Sequence, residues 1–473
     1  MTPDERIAEL EAENQRQRGQ IAALLVRVQE LEARLAKDSH NSGKPPSSDG
    51  LKRTPKSLRK QSGRKPGGQL GHRGETLHLA ATPDTVVEHR PARCPHCQTR
   101  LAAEPGRVCE RRQVQELPPV RLRVTEHHAV RVRCPVCAQV SVGAFPPEAP
   151  SRAQYGPQIR ALAVYLVEEQ LVPLGRVQRV LADLFGMRLG RGTLVGWLQQ
   201  AATALEPVEG ALKTALQHAP VLHCDETGVR RAGKLAWVHV TSTARLTHYA
   251  IHVKRGTEAM DAVGILPSYT GVSVHDGWVS YRAYQQCRHA LCNIHHLREL
   301  TFLEEQYHQG WAKELKDLLR EMKATTEQAR AQGAARLDRA LRDGLVTRYQ
   351  ALLATGLAAN PPPEDSAEAG PRRPGRRKQT PARNLLERLW LGQEQVLAFL
   401  DDLAIPFDNN QAERDLRPLK MQQKVSGCFR SDPGAEVFAR LRTYLATLRK
   451  QGQPLLAALQ TVFAGQPLYP ALA

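Results

Sequence analysis

Val221-Leu222-His223-Cys224-Asp225-Glu226-Thr227 and Gly271-Val272-Ser273-Val274-His275-Asp276-Gly277 are the two stretches that decide the fold. Each is a short apolar run that stops at an aspartate. That is the texture of a buried strand ending at a cleft. Between them, Leu235 to Val240 and His248 to Val253 read as two more strands, with the first hairpin turned at Ala232-Gly233. A helix around Glu258 to Val263 follows. Beyond the second stretch, Ala290-Leu291-Cys292 predicts a further strand opening into a helix that carries His295, His296 and Arg298.

Three strands followed by helix and strand repeats is the order that a ribonuclease-H-like α/β core requires. Roughly residues 297–400 break this texture: they are helical and charged, with a Pro- and Arg-rich gap near 356–382. The α/β pattern returns at Ile405-Pro406-Phe407-Asp408-Asn409-Asn410, before a helix bearing Glu413. The expected architecture is a multidomain α/β chain whose core, 213–296 and 401–430, is split by a helical insertion at 297–400 and followed by a helical region at 431–473. Ahead of the core we expect a coiled coil at 1–37, a flexible basic linker at 38–80, a zinc-binding unit at 81–148 and a helical DNA-binding domain at 149–212.

The coiled coil rests on Ile7, Leu10, Asn14, Gln17, Ile21, Leu24, Val28, Leu31 and Leu35, which fall on alternating three- and four-residue steps. A single amphipathic helix packed on the rest of the chain is the plainer alternative. In the linker, eight basic residues lie between Lys52 and Arg73 with no acid among them. Lys52, Arg53, Arg59, Lys60, Arg64 and Lys65 are candidate contacts to a DNA backbone; a solvated tether is the alternative.

Cys94-x-x-Cys97 and Cys134-x-x-Cys137 are two knuckles with Pro95 and Pro135 at matching places. Two such turns can build a closed tetrahedral shell of four sulfurs, which is a structural zinc site because no ligand position stays open. Short alternating stretches, Val120 to Val124 and Val130 to Val132, predict small antiparallel strands around them. After Pro146, Pro147 and Pro150, three helices are expected between 156 and 203, the second starting near Pro173 and stopping at Gly186. A helix-turn-helix module fits this size, as does a purely structural bundle.

The charge balance agrees with a polyanionic partner. The chain of 473 residues carries a formal net charge of +18, an excess that solubility alone does not require. No apolar run approaches the ~20 residues of a membrane span, and the charged first 37 residues do not resemble a signal peptide. A cytoplasmic, nucleoid-associated protein is expected, and nine cysteines in that setting argue for thiols or metal ligation.

Two-metal phosphoryl transfer needs carboxylates that converge on a pair of hard cations. Asp225 and Asp276 at strand ends suit that role, although an aspartate there also serves as a turn former or helix cap. Glu413 has a sharper alternative. Asn410-x-x-Glu413 has the spacing of a capping box, which needs no metal. Arg414 and Arg417 nearby would meet phosphates. His289, Cys292, His295 and His296 could suggest a second metal site, but Cys292 and His296 at i+4 read better as packing or as bonding phosphate.

The chain resembles the transposases of the IS66 family of bacterial insertion sequences along nearly its whole length. The likeness rests on Asn41-Ser-Gly-Lys-Pro-Pro-Ser-Ser-Asp49, Gly67-Gly-Gln-Leu-Gly-His72 and the two CxxC knuckles. It continues through Asp225-Glu-Thr227, His275-Asp-Gly277, Leu291-Cys-Asn-Ile-His-His-Leu-Arg-Glu299 and Asn409-Asn-Gln-Ala-Glu-Arg414. The resemblance implies a DDE transposase with Asp225, Asp276 and Glu413 as its metal-binding triad and magnesium, or manganese, as the ion. It also implies double-stranded DNA as partner, both element ends and target, in a homo-oligomer of at least two chains, with small accessory proteins of the same element often present. A DNA-binding regulator without catalysis, a nuclease that does not join strands and a scaffold are the rival classes. The regulator predicts no convergence of the three acids, and the scaffold leaves the strand-end acids unexplained.

Overall fold

The computed structural model describes residues 2–42, 49, 71–72, 76–101, 105–118, 120–362 and 379–472. Helix α1 (Pro3–Leu35) is one continuous rod. Its apolar stripe, including Ile7, Leu10, Ile21, Leu24, Val28, Leu31 and Leu35, is exposed along its length. Among the described residues, its C-terminal end docks: Ala33 is buried, and just beyond the helix Lys37 lies 4.7 Å over the Phe302 ring and His40 sits 3.3 Å from Glu305. Among the described residues of 81–148, β1 (Arg131–Arg133) pairs antiparallel with β2 (Val140–Val142), both exposed. The strand expected over Val120 to Val124 does not form.

The helical block opens with α2 (Pro157–Val164), continued by a π-helical turn at Tyr165–Glu169. Then come α3 (Leu174–Phe185), α4 (Arg191–Ala204) and α5 (Glu206–Gln217). Helix α3 stops where the sequence predicts, because Gly186 takes the left-handed conformation (φ 67°) that closes a helix.

The sheet begins with β3 (Val221–Arg231), β4 (Lys234–Ser242) and β5 (Thr247–His252), a meander of antiparallel strands. Ala232 and Gly233, both at positive φ, turn the first hairpin, as the right-handed twist of the strands requires. After α6 (Thr257–Val263), β6 (Val272–His275) and β7 (Arg288–Leu291) add in parallel. The order across the sheet is β5-β4-β3-β6-β7. Strand β3 is longer than its apolar run predicts. It does not stop at Asp225, because backbone pairing with β4 carries it through Glu226, Thr227 and Gly228 to Arg231.

The helical insertion comprises α7 (Asn293–Tyr307), α8 (Gly310–Ala331), α9 (Arg339–Ala359), α10 (Pro381–Leu391), α11 (Gln393–Val396) and α12 (Ala398–Asp401). Trp311, Leu315, Tyr349, Leu386 and Phe399 form its core, which is continuous with Val274 and Ala290 of the sheet. The chain returns as α13 (Asn410–Ser426), with Pro418 inside it without ending it, and closes with α14 (Asp432–Lys450) and α15 (Leu455–Phe463).

Helices α14 and α15 share one core with α2, α3, α4 and α5: Leu441, Tyr444, Leu448 and Leu459 pack with Val177, Leu181, Leu194 and Leu212. The helical block before the sheet and the helices after it are therefore one packing unit. Helix α14 also closes a sheet edge. The N–H groups of Thr247 and Tyr249 on β5 donate to the hydroxyls of Thr447 and Thr443, each at 3.0 Å. An edge strand is thus satisfied rather than left open to a stray strand.

Glu168 lies fully buried in this unit. Burial pushes its carboxyl up to about 8, although Arg442 pulls it down, and its Oε2 has no hydrogen-bond partner. The folded chain therefore holds a proton that the unfolded chain releases in the ordinary carboxylate range. Stability is present below that range and is lost as pH rises toward 8. Glu168→Gln should raise stability at pH 8, on the order of 1–3 kcal/mol, and change little near pH 4. Thermal unfolding at both pH values tests this; equal melting temperatures for the two proteins at pH 8 would refute it.

Candidate functional site

The register of the sheet decides which side chains share a face. In β3 and β4, Asp225 pairs with Val240, Thr227 with Val238 and Val229 with Ala236. Directly paired residues lie on one face. Val229, Ala236, Val238 and Val240 are buried against Ala412, Leu416 and Leu419 of α13, so Asp225 belongs to the face that α13 covers. In the parallel pair, Leu222 aligns with Ser273 and His223 with Val274. Two residues further on, the same register sets Asp276 beside Asp225, where β6 has ended and β3 continues.

Ala412, Leu416 and Leu419 form the inward stripe of α13 at helical spacing. Glu413, one step round, flanks it in the first turn. The helix starts one residue earlier than the capping-box spacing suggests: Asn409 occupies the cap position, and its side chain makes no cap bond. Its amide instead donates to the Cys224 carbonyl at 2.7 Å, while its carbonyl oxygen lies 2.9 Å from His223 Nδ1. Asp408 Oδ1 accepts from the Asn410 N–H at 3.1 Å in place of a capping amide. Asn409 is thus a buried tie between α13 and β3, and Glu413 is not used as a box residue.

The structure brings Asp225, Asp276 and Glu413 into one electrostatic neighbourhood. Burial, then the Glu226 charge, with contributions from Asp276 and Glu413, pushes the Asp225 carboxyl up to about 8. The Glu226 N–H, which donates to Asp225 Oδ1 at 2.8 Å, works the other way. Such an excess of negative charge, partly shielded from water, suits divalent cations with oxygen ligands.

Glu226 turns to the opposite face, as strand alternation predicts. There it accepts from Arg255 Nε at 2.8 Å and from the Tyr281 hydroxyl at 2.9 Å. Arg255 was not singled out by any sequence signal. Its guanidinium lies 4.0 Å from the Trp278 ring centroid and 4.9 Å from that of Trp237, and one nitrogen is 3.8 Å from Asp276 Oδ2. It links the buried Glu226 to the rim where Asp276 sits. Asp276 also accepts the Trp278 N–H at 2.9 Å, a turn that Gly277 permits at φ 87°. Lys420, on α13, lies within electrostatic range of Asp225.

At the start of α7, Cys292 is buried and accepts the Asn409 N–H at 3.2 Å. Cys292, His295 and Glu413 present ligand atoms that all lie within 4.8 Å of one another. His296, the i+4 partner expected for Cys292, turns inward to Asn293 at 3.1 Å. His289 lies 3.0 Å from His275 and from the Tyr284 carbonyl, so the two histidines are structural neighbours of the β6–β7 rim.

The knuckles are near copies of one another. Cys94 N–H donates to Thr99 O at 2.9 Å and Cys134 N–H to Gln139 O at 2.8 Å. Gln98 and Ala138 both take positive φ, at 60° and 57°. The Thr99 hydroxyl holds the Cys97 thiol below its ordinary value, and the Cys137 and Val136 N–H groups do so for Cys134. Both effects favour the thiolate, the form that binds metal. Among the described residues the four sulfurs do not converge as a set. Arg414 and Arg417 are exposed on the outer side of α13, with Arg414 donating to Gln411 at 3.0 Å. Lys52, Arg53, Arg59, Lys60, Arg64 and Lys65 lie outside the described residues. No helix among the described residues is long and apolar enough to cross a membrane.

Comparison with known proteins supplies the family. The chain is similar to an uncharacterized protein of Sinorhizobium fredii (strain NBRC 101917 / NGR234), 25% identical over 400 residues, which are 78% of this chain and 73% of that one. Residues 2–78 match a family of unknown function. Residues 152–437, more than half of the chain and spanning every element that builds the acidic site, match the transposase IS66 family. The chain belongs to the IS66 family of transposases.

Proposed function

We propose that this transposase cuts the ends of its element and joins them to target DNA by two-metal phosphoryl transfer in a ribonuclease-H-like core. Asp225, Asp276 and Glu413 would hold magnesium or manganese. The observation that supports this reading is that the charges of Asp276, beyond the end of β6, and Glu413, in the first turn of α13, both act on the largely buried Asp225 of β3. A meander of three strands extended by two parallel ones, in the order β5-β4-β3-β6-β7, supports the fold assignment. A regulator or scaffold gives no reason to set two further carboxylates where their charges disfavour an ionised, buried Asp225.

When bound, the ions would activate the attacking oxygen and stabilise the leaving one. The chain's own residues do the positioning. Asp225 is fixed by the pairing of β3 with β4, Asp276 by its turn, and Glu413 by the tie at Asn409. Arg255 holds the rim beside Asp276. Arg414, Arg417 and the basic residues from Lys52 to Lys65 would meet backbone phosphates, and the helices α2 to α4 would dock on the duplex. The exposed stripe of α1 supports self-association through a coiled coil. The expected setting is the bacterial cytoplasm, on the nucleoid.

Structural zinc at Cys94, Cys97, Cys134 and Cys137 is supported by the matching turns of the two knuckles, which would have to close on one ion, since the four sulfurs do not converge in the structure. The segment around them has no buried apolar core among its described residues, so metal ligation would supply the closure that packing does not. Cys134→Ser should lower the zinc content of the purified protein by about one equivalent and make residues 81–148 quick to be cleaved by protease. Unchanged zinc content would refute the assignment.

The function is tested with labelled element-end DNA and magnesium. Wild-type protein should nick the end and join its 3′-hydroxyl to target DNA. Binding without any cleavage, with accessory proteins of the element supplied, would leave the regulator reading in its place.

A further inference from the structure

We infer that Cys292, His295 and Glu413 form a second cation site, selective for a thiophilic ion such as zinc, that competes with the catalytic ions for Glu413. The inference rests on the proposed role of Glu413 in catalysis, but its binding chemistry does not.

The three side chains come from two helix starts. Cys292 caps α7, His295 lies in its first turn, and Glu413 lies in the first turn of α13. One ligand atom from each falls within 4.8 Å of the other two, a spread that a single ion can close with small rotamer changes. A second observation points to a missing ligand. His295 Nδ1 is buried and has no hydrogen-bond partner, a condition that native structures seldom leave unexplained.

The donor set is sulfur, nitrogen and oxygen. Magnesium avoids thiolate and takes oxygen ligands, whereas zinc binds all three readily. The chain thus offers two sites of different hardness that share one carboxylate: oxygen-only with Asp225 and Asp276, and mixed with Cys292 and His295. Binding at the mixed site deprotonates the Cys292 thiol, and the proton passes to solvent. No redox change is involved. With Glu413 engaged there, the acidic site would keep two of its three carboxylates, so zinc would act as an inhibitor of strand cleavage.

The test uses the full-length chain with its knuckles intact, dialysed against zinc, and metal content measured directly. Wild type should hold about one equivalent more zinc than Cys292→Ser or His295→Ala. Cobalt substituted for zinc should give a thiolate-to-metal absorption component that both variants lose. His295→Ala removes a half-buried side chain, so it remains informative if Cys292→Ser fails to fold. Asp225→Asn should retain the extra ion. In magnesium-driven cleavage, zinc should inhibit wild type at a concentration roughly tenfold below that needed for His295→Ala. Equal zinc content in wild type and both variants would overturn the inference, as would loss of the extra ion in Asp225→Asn, which would place it among the acids. A chain that binds the extra zinc but never cuts DNA would sink the catalytic reading and leave the site standing.

Discussion

Asp225→Asn should lower strand cleavage by about a thousandfold or more while raising the melting temperature of the protein. The first half follows from the proposed triad. A metal ligand contributes several kcal/mol of transition-state stabilisation, and each 1.36 kcal/mol is a factor of ten. The second half follows from the electrostatics. Burial and the neighbouring carboxylates Glu226, Asp276 and Glu413 raise the Asp225 carboxyl to about 8. Between its ordinary value and that one, the metal-free folded chain binds a proton that the unfolded chain does not. Its stability therefore falls as pH rises through that window, and the neutral amide removes the penalty. Opposite movements of activity and stability separate a functional carboxylate from a structural one. Asp276→Asn and Glu413→Gln should abolish cleavage similarly, with DNA binding retained. Cleavage at wild-type rate in any of the three would remove that residue from the triad. A fall in the melting temperature of Asp225→Asn would show that its carboxylate supports the fold.

Asn409→Ala should cost stability and activity together, in contrast to the triad variants. Asn409 is buried and makes two side-chain bonds, to the Cys224 carbonyl and to His223 Nδ1. Truncation leaves both partners without their bond in the interior, which costs about 2–4 kcal/mol. It also frees the start of α13, so Glu413 loses its fixed distance from Asp225. Since misplacement by about 1 Å can cost a hundredfold in rate, cleavage should fall by roughly that factor even where the protein is fully folded. Urea unfolding and single-turnover cleavage at a temperature below the transition measure the two effects. A destabilised variant with undiminished single-turnover cleavage would show that Asn409 serves the fold alone.

These two cases mark where local pattern was informative. The hairpin at Ala232-Gly233, the stop of α3 at Gly186 and the strand leading to Asp276 were legible because each depends on the residue at hand: a positive-φ turn, a left-handed cap, an apolar run ended by a polar turn. The helical insertion was legible from its charged, helical texture. Strand β3 overran its predicted end because backbone pairing with β4 does not ask whether a side chain is apolar. Glu413 looked like half of a capping box because spacing along the chain cannot say where an amide turns; Asn409 turns to Cys224, 185 residues away in sequence.

By itself, then, the sequence determined the kinds of element, most of their order, the acids worth suspecting and the family they suggest, since propensity, periodicity and motif spacing are local. Only the tertiary structure decided that the charges of Asp276 and Glu413 act on the buried Asp225 and that Arg255 ties Glu226 to the rim. It also decided that Cys292 and His295 turn toward Glu413 rather than toward His296. It joined α14 and α15 to the helices that precede the sheet. Each of these depends on register and on burial against distant segments, which side-chain packing sets only once the chain has folded.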